Sequence, residues 1–302
     1  MTRNTLLVIS QVYAPDPAAV GQHVADAAEE MVRCGWRVIV YTSARGYDDP
    51  SRRYLRRERR GGVEVRRLPL SSFGKRSIAV RLVAQFLFLA QAVACGVWTR
   101  ELRLVLVSTS PPFAGLGGSL IAWLRRVPLV WWVMDLNPDQ MIAAGKIRPR
   151  SIPARVFDWI NRLTLRRARD VVVLDRFMKD RVLAKAAVPE KVHVIPPWPL
   201  EDGLAVGPPR PNAFRAAHGL DDEFIVMYSG NHALQHPLDT LLDAAAELEG
   251  QPRLKFVFIG GGAGKAAVEA RITAGAKNIV SLPYQPLERI GESLSAADVH
   301  VV

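Results

Sequence analysis

Cysteine is nearly absent from this 302-residue sequence. Cys34 and Cys95 lie far apart and outside any C-x-x-C spacing, which excludes a disulfide framework and a zinc ribbon and fits a reducing compartment. A secretory leader is not expected, because MTRNTLLVISQVY has too short an apolar core before a proline-rich turn. Zinc-finger and RNA-binding signatures are lacking, and no aromatics interleave the basic residues, so nucleic acid is not the expected partner. The phosphate-loop patterns fail as well. FVFIGGGAGK (256–265) follows an apolar run and ends on lysine, yet a P-loop would need glycine where Ile259 stands and a hydroxyl where Ala266 stands. The dinucleotide pattern fails because Gly260 and Gly262 are followed by Lys265.

What is present is alternation. TLLVIS (5–10), WRVIVYTS (36–43), RLVLVS (103–108), PLVWWVMD (128–135), DVVVLD (170–175) and KVHVIP (191–196) are short and continuously apolar, the pattern of buried parallel strands. Between them, stretches such as GQHVADAAEEMVRCG set Val24, Ala27, Ala28 and Met31 at helical spacing and stop at Gly35. A proline-rich stretch, 196–212, then reads as a linker. Beyond it the alternation restarts with FIVMYS (224–229), LKFVFI (254–259), NIVSL (278–282) and DVHVV (298–302). The expected fold class is α/β: two tandem doubly wound, Rossmann-like domains, residues 1–198 and 223–302, joined by a linker at 199–222, the second incomplete because it stops inside its fourth strand.

Charge is unevenly placed. Residues 223–302 carry six Lys or Arg against nine Asp or Glu, whereas residues 1–222 carry 34 against 20. The densest run, residues 51–67, holds eight arginines and two glutamates, with Arg52, Arg53, Arg56, Arg57, Arg59 and Arg60 as its core. It is either a solvated surface loop or a patch for an anionic membrane. Just downstream, 18 uncharged residues separate Arg81 from Arg100. That length touches the threshold of a membrane span, although Gln85, Gln91 and Gly96 favour a buried or interface-lying helix.

Ligands of doubly wound sheets bind beyond the carboxyl ends of the strands, so the loops after the strands carry the candidate site. Gly21 is expected to open the helix after the first strand, with a free N-terminus able to accept an anion. After FIVMYS, Gly230 turns the chain and Pro237 suits a first helical position. His232, His236 and Asp239 raise a metal site as one reading, against a phosphate or sugar contact by one of the histidines; a helix boundary at Pro237 spoils the geometry a metal requires.

YSGNHALQHPLDTLLDAA, FVFIGGGAGK, NIVSLPYQPLERI and SAADVHVV together resemble the donor-binding half of glycosyltransferase family 4, which has the two-domain GT-B fold. QVYAPDPAAVGQHVADAAEEM, YLRRERRGGVEVRRLPL and WWVMDLNPDQMIAAG resemble its branch for colanic-acid and O-antigen type polysaccharides. The resemblance implies transfer of a sugar from a nucleotide-diphosphate sugar to a lipid-linked saccharide, with retention, without a metal or other cofactor, and at the cytoplasmic face of the plasma membrane. It places Gly21 near the donor diphosphate and acceptor, Asp135 against the donor sugar, Gly230, Asn231 and His236 at the diphosphate, Gly260 and Gly262 near the nucleoside, and Tyr284 and Gln285 beside the base. The arginine and lysine that much of the family has in the loop after residue 229 are replaced here, by Asn231 and His236. The family's pair of glutamates eight positions apart has no counterpart, so the resemblance also implies a fragment, inactive alone. A nucleotide-sugar 2-epimerase of the same fold and a catalytically empty membrane-binding module are the competing readings.

Overall fold

The structure of the protein, a computed structural model, describes residues 4–16, 18–46, 51–71, 78–198, 207–208, 210–233, 236, 238–286 and 289–302. The chain divides into two compact units, Met1–Leu200 and Glu201–Val302.

In the first unit, β1 (Thr5–Ile9) is buried along its whole length. Leu6 and Val8 point to one face of the sheet with Val38 and Val40, while Leu7 and Ile9 point to the other with Ile39 and Tyr41. Both faces are covered, and this is why the strand reads as an unbroken apolar run. Its neighbours are β2 (Arg37–Ser43) and β5 (Leu102–Ser108), followed outward by β4 (Val63–Leu68) on one side and β6 (Leu129–Val133), β7 (Asp170–Val173) and β8 (Val192–Val194) on the other. All these pairings are parallel. An antiparallel β3 (Arg57–Arg60) closes the edge, giving the order β3-β4-β2-β1-β5-β6-β7-β8.

One face packs under α1 (Ala19–Arg33), through Val24, Ala25 and Ala28. The opposite face is covered by α2 (Ile78–Val97), α3 (Ala114–Arg125), α5 (Ile152–Arg167) and α6 (Arg176–Lys185), through Phe88, Ala92, Ile121, Leu165 and Val182. The short α4 (Asp139–Ala143) follows β6. The 18-residue uncharged stretch is thus a surface helix whose Ala84, Phe88 and Ala92 lie buried. Among the described residues no helix is long and apolar enough to cross a membrane.

The arginine run is not a loop. Arg57–Arg60 pairs with Val63–Leu68 across the turn at Gly61 and Gly62, both with positive φ (52° and 83°). The expectation missed this hairpin because strand Arg57–Arg60 contains no apolar residue to mark it. Arg52, Arg53, Arg56, Arg57, Arg59 and Arg60 are all exposed, and charge on an outermost strand opposes further strand pairing. Inside the hairpin, Arg67 is buried and donates to the carbonyls of Ala14 (2.9 Å) and Leu55 (3.1 Å) and to Glu58 (2.6 Å).

The second unit has a four-stranded parallel sheet of order β11-β10-β9-β12: β9 (Phe224–Asn231), β10 (Leu254–Gly261), β11 (Ile279–Leu282) and β12 (Val299–His300). Tyr228, Phe256 and Phe258 face α8 (Asp239–Glu247) and α9 (Lys265–Thr273). Ile225, Met227, Val257 and Ile259 face α7 (Ala213–His218) and the end of α10 (Ile290–Ser295).

The expected linker at 199–222 is revised here, since α7 belongs to this unit. Phe214 is buried in its core, Asn212 caps the helix and donates to the Glu292 carbonyl (3.0 Å), and the buried Arg215 meets Asp298 at 2.7 Å. Residues 199–206 and 209 of the expected linker lie outside the described residues.

Candidate functional site

In the first sheet, strand order reverses between β1 and β5, the position where parallel sheets of this type open a crevice at their carboxyl ends. The two strand ends are joined there by small hydroxyl side chains. Ser108 Oγ donates to Ser10 Oγ (2.9 Å), Ser10 Oγ donates to the Val12 carbonyl (2.8 Å), and Thr109 Oγ1 accepts from the backbone N–H of Met134 (3.3 Å) and Asp135 (3.0 Å). The loop after β6 is thereby tied to the end of β5. Sequence reading passed over Ser10, Ser108 and Thr109; their signal was a small hydroxyl residue directly after an apolar strand. Asp135 sits in this tied loop, half-buried, and its Oδ1 accepts from Gln140 Nε2 (2.9 Å).

Gly21 does not open a helix. The helix begins at Ala19, and Gly21 lies in its first turn with its N–H bonded to the Ala18 carbonyl (2.8 Å). The reason for glycine is contact: a Cβ there would fall 3.0 Å from the Tyr13 nitrogen and 3.2 Å from the Val12 carbonyl carbon. The helix therefore rests directly on the loop that leaves β1.

In the second unit the ends of β9 and β10 remain paired to the last residue, Gly230 opposite Gly260 and Asn231 opposite Gly261. Glycine is required by close approach. A Cβ on Gly260 (φ +143°) would lie 1.9 Å from the Gly230 carbonyl oxygen, and one on Gly262 (φ +129°) would lie 2.6 Å from Asn231 Oδ1 and 2.7 Å from the His232 carbonyl oxygen. Two backbone bonds lock the loops together: His232 N–H donates to the Gly261 carbonyl (2.8 Å), and Gly264 N–H donates to the His232 carbonyl (2.7 Å). Lys265 begins α9, and its Nζ folds back onto the Gly260 carbonyl (3.3 Å).

Around this turn Tyr228 Oη donates to the Asn231 carbonyl (2.9 Å) and meets His236 Nδ1 at 3.2 Å, and both bonds are satisfied when Nδ1 carries the proton. Burial, followed by the neighbouring Tyr284, pushes the Tyr228 phenol above its ordinary value. Tyr284 Oη donates to the Gly261 carbonyl (3.1 Å). Gly230, Asn231, His236, Gly260, Gly262 and Tyr284 are thus gathered at one strand-end cluster. Gln285 is adjacent in sequence, but its amide turns back to the Pro283 carbonyl (3.0 Å).

His232, a candidate metal ligand or phosphate or sugar contact from its sequence position, is fully buried beneath the cluster. Its ring lies 5.4 Å from that of Tyr228 and 6.4 Å from that of Phe258, with neither nitrogen hydrogen-bonded among the described residues. Burial, and then the Lys265 charge, lowers its pKa. His236 is exposed and engages Tyr228 instead. Among the described residues no three His, Cys, Asp or Glu side chains are grouped as metal ligands. The expected helix opening at Pro237 falls outside the described residues; α8 begins at Asp239.

A sheet parallel but for its edge strand in the first unit and a parallel sheet in the second give the two-unit α/β architecture of GT-B type. Solved structures share this fold. HepE of Anabaena, determined in complex with UDP and glucose, aligns with a TM-score of 0.66 at 15% identity over 99% of this chain and 73% of its own. WaaG, a glycosyltransferase involved in lipopolysaccharide biosynthesis, aligns with a TM-score of 0.66 at 14% identity over 98% and 74%. In sequence, the chain is 26% identical to WcaI of Escherichia coli (strain K12), a protein named for glycosyl transfer in colanic acid biosynthesis, over 98% of this chain and 76% of that one. The glycosyl transferase 4-like domain model matches residues 18–198, and the chain belongs to that family. It is a glycosyltransferase.

Proposed function

We propose that the protein transfers a sugar from a nucleotide-diphosphate sugar to a lipid-linked saccharide during assembly of a surface polysaccharide, at the cytoplasmic face of the plasma membrane. The observation that carries this reading is the strand-end cluster of the second unit. Gly260 and Gly262 let their backbone approach Gly230, Asn231 and His232 more closely than a Cβ allows, and Asn231, His236 and Tyr284 surround the turn. Such a surface offers close approach to a bulky anionic ligand. The likeness to WcaI supports polysaccharide assembly as the setting, and the UDP and glucose held by HepE support a nucleotide sugar as donor.

In this reading Gly230, Asn231 and His236 meet the diphosphate, and Gly260 and Gly262 shape the turn beside the nucleoside. Tyr284 and Gln285 flank the base. In the first unit Asp135 orients the donor sugar, and the loop held by Gly21 serves the diphosphate and acceptor. Negative charge accumulating on the leaving diphosphate is met by backbone amides and neutral donors, without a resident metal, and the anomeric configuration is retained. The acceptor's lipid anchor requires the enzyme to work against a membrane surface, to which its basic first unit is suited.

The test supplies labelled UDP- and GDP-sugars with a polyprenyl-diphosphate sugar in detergent. Transfer is expected to be lost in Asp135→Asn and Asn231→Ala, with nucleoside-diphosphate affinity reduced only in Asn231→Ala. Undiminished turnover in both variants would overturn the site assignment, and hydrolysis or epimerisation of the donor without transfer would overturn the reaction.

A further inference from the structure

Helix α3 is built inside out. In AGLGGSLIAWLR, small residues face the protein on three sides, each fitted to a neighbour. A Cβ on Gly115 would lie 2.8 Å from Thr164 of α5, one on Gly117 would lie 3.4 Å from Leu89 and Val93 of α2, and one on Gly118 would lie 2.4 Å from Val107 of β5. Apart from Ile121, which is buried against the sheet, the large apolar residues Leu116, Leu120, Trp123 and Leu124 lie on the fourth side and are exposed. That is the reverse of a soluble surface helix, whose outward face is polar.

The helices on either side extend the pattern. On α2 the buried row is Ala84, Phe88 and Ala92, and the outward row includes Phe86 (71% exposed). Trp98, immediately after α2, is 85% exposed, and Arg125 of α3 binds the carbonyls of Val97 and Thr99 (2.7 Å to the latter), fixing the C-terminal ends of the two helices side by side. On α5, Ile152, Val156 and Trp159 point outward in one row, with Trp159, like Trp123, 61% exposed. Three helices that pack next to one another on one face of the sheet therefore present a single apolar surface with three tryptophans. Contiguous exposed apolar surface of this kind marks an interaction site.

Its charge selects the partner. The exposed Arg126, Arg155, Arg162 and Arg166 border the surface. Asp158 is the one acid within the three helices, and it is held at 2.6 Å by Lys185. A second copy docking on the same face would oppose arginine to arginine with no carboxylate to pair them. Exposed tryptophan, leucine and phenylalanine together with arginine is the chemistry that an anionic bilayer accepts, apolar groups entering the acyl boundary and guanidinium groups meeting phosphate.

We infer that the outward face of α2, α3 and α5 docks the first unit onto an anionic lipid bilayer, and that the exposed arginines of residues 52–60 are not the principal contact. This deepens the membrane setting of the proposed function, on which it rests for its biological purpose but not for its test. The full chain is sedimented with vesicles of equal parts phosphatidylglycerol and phosphatidylcholine, and with pure phosphatidylcholine. Binding is expected only to the anionic vesicles, to weaken about tenfold or more in the triple variant Trp98→Ser, Trp123→Ser, Trp159→Ser, and to fall with added salt and in Arg155→Gln, Arg162→Gln. Replacing Arg52, Arg53, Arg56 and Arg59 with glutamine is expected to change it less than the tryptophan triple does.

Unaltered vesicle binding by the tryptophan triple, or its loss in the hairpin variant alone, would overturn the inference. So would a dimer in sedimentation velocity that the same tryptophan substitutions dissociate, which would make the face a contact between copies. Turnover of detergent-dispersed acceptor, measured in parallel, is expected to survive the tryptophan substitutions. Its absence in the unaltered protein would count against the proposed reaction and leave the docking face standing.

Discussion

The tightest contact in the second unit gives its sharpest test, the substitution Gly260→Ala. The new methyl carbon would stand 1.9 Å from the Gly230 carbonyl oxygen, which is backbone and cannot rotate away. The left-handed φ of +143° adds a conformational cost of about 1–2 kcal/mol for any residue with a Cβ. Relieving the overlap must separate the ends of β9 and β10 and weaken the His232 to Gly261 hydrogen bond, a loss of about 1 kcal/mol. Together these give about 2–3 kcal/mol, which in a unit of this size lowers the unfolding midpoint by about 8 °C or more. Gly250→Ala is the control, because its Cβ meets nothing within 4 Å. It is expected to leave the midpoint unchanged or raise it slightly, by reducing the freedom of the unfolded chain. Differential scanning calorimetry measures the midpoint. If Gly260→Ala melted with Gly250→Ala, the close meeting of the strand ends would be refuted, and with it the reason for glycine in the turn.

Three further outcomes follow from buried polar groups. Arg215→Met removes the buried guanidinium from Asp298 and from the Leu220 and Glu223 carbonyls, leaving Asp298 the Ile225 N–H and the more distant Arg210, at a cost of about 3 kcal/mol seen in chemical denaturation. Burial raises the Asp298 pKa, but the Ile225 N–H and the Arg215 guanidinium outweigh it and hold the carboxyl below its usual range. The pair's stabilisation is therefore complete above the unfolded carboxyl pKa of about 4 and is lost as pH falls through the depressed folded value, a slope that Asp298→Asn abolishes. His232→Leu removes two buried ring nitrogens that lack partners and is expected to stabilise by about 1 kcal/mol, more so as pH falls below about 6.5, where unfolding the native protein takes up a proton. A His232→Leu protein less stable than wild type at every pH would show that the ring is satisfied. Arg67→Met strands the Ala14 and Leu55 carbonyls and is expected to cost about 3 kcal/mol, whereas Arg59→Met, on the exposed side of the hairpin, changes stability by less than about 0.5 kcal/mol in the same urea titration.

The fold was legible wherever burial on both faces of a strand left an unbroken apolar run, as in TLLVI and LKFVFI, and wherever one turn of helix separated the inward residues, as in α1. It was illegible where a strand's role is to repel. RERR carries the edge of the first sheet with no apolar residue at all, and only its partner VEVRRL shows the alternation of a strand. Helix α7 was hidden by the prolines before it, because a single buried phenylalanine and a buried arginine attach it to its sheet.

At the candidate site, Gly260 and Gly262 were picked out by the resemblance, and each meets a carbonyl oxygen that a Cβ would overlap. His232 stood out as a candidate ligand, but its burial did not, since that depends on Tyr228 and Phe258, residues whose proximity only the fold creates. The hydroxyl floor of Ser10, Ser108 and Thr109 was equally unmarked, for its members lie nearly a hundred positions apart and meet through strand pairing.

Arg67 has a mechanical consequence. Its guanidinium grips the Ala14 carbonyl in the loop leaving β1 and, through Leu55 and Glu58, the strand Arg57–Arg60 and its approach. Its aliphatic stem rises from β4, one strand beyond β2. One buried, planar cation therefore joins the exposed arginine strand to the loop on which Gly21 rests, so the sheet's charged rim and the mouth of its first strand share a single anchor.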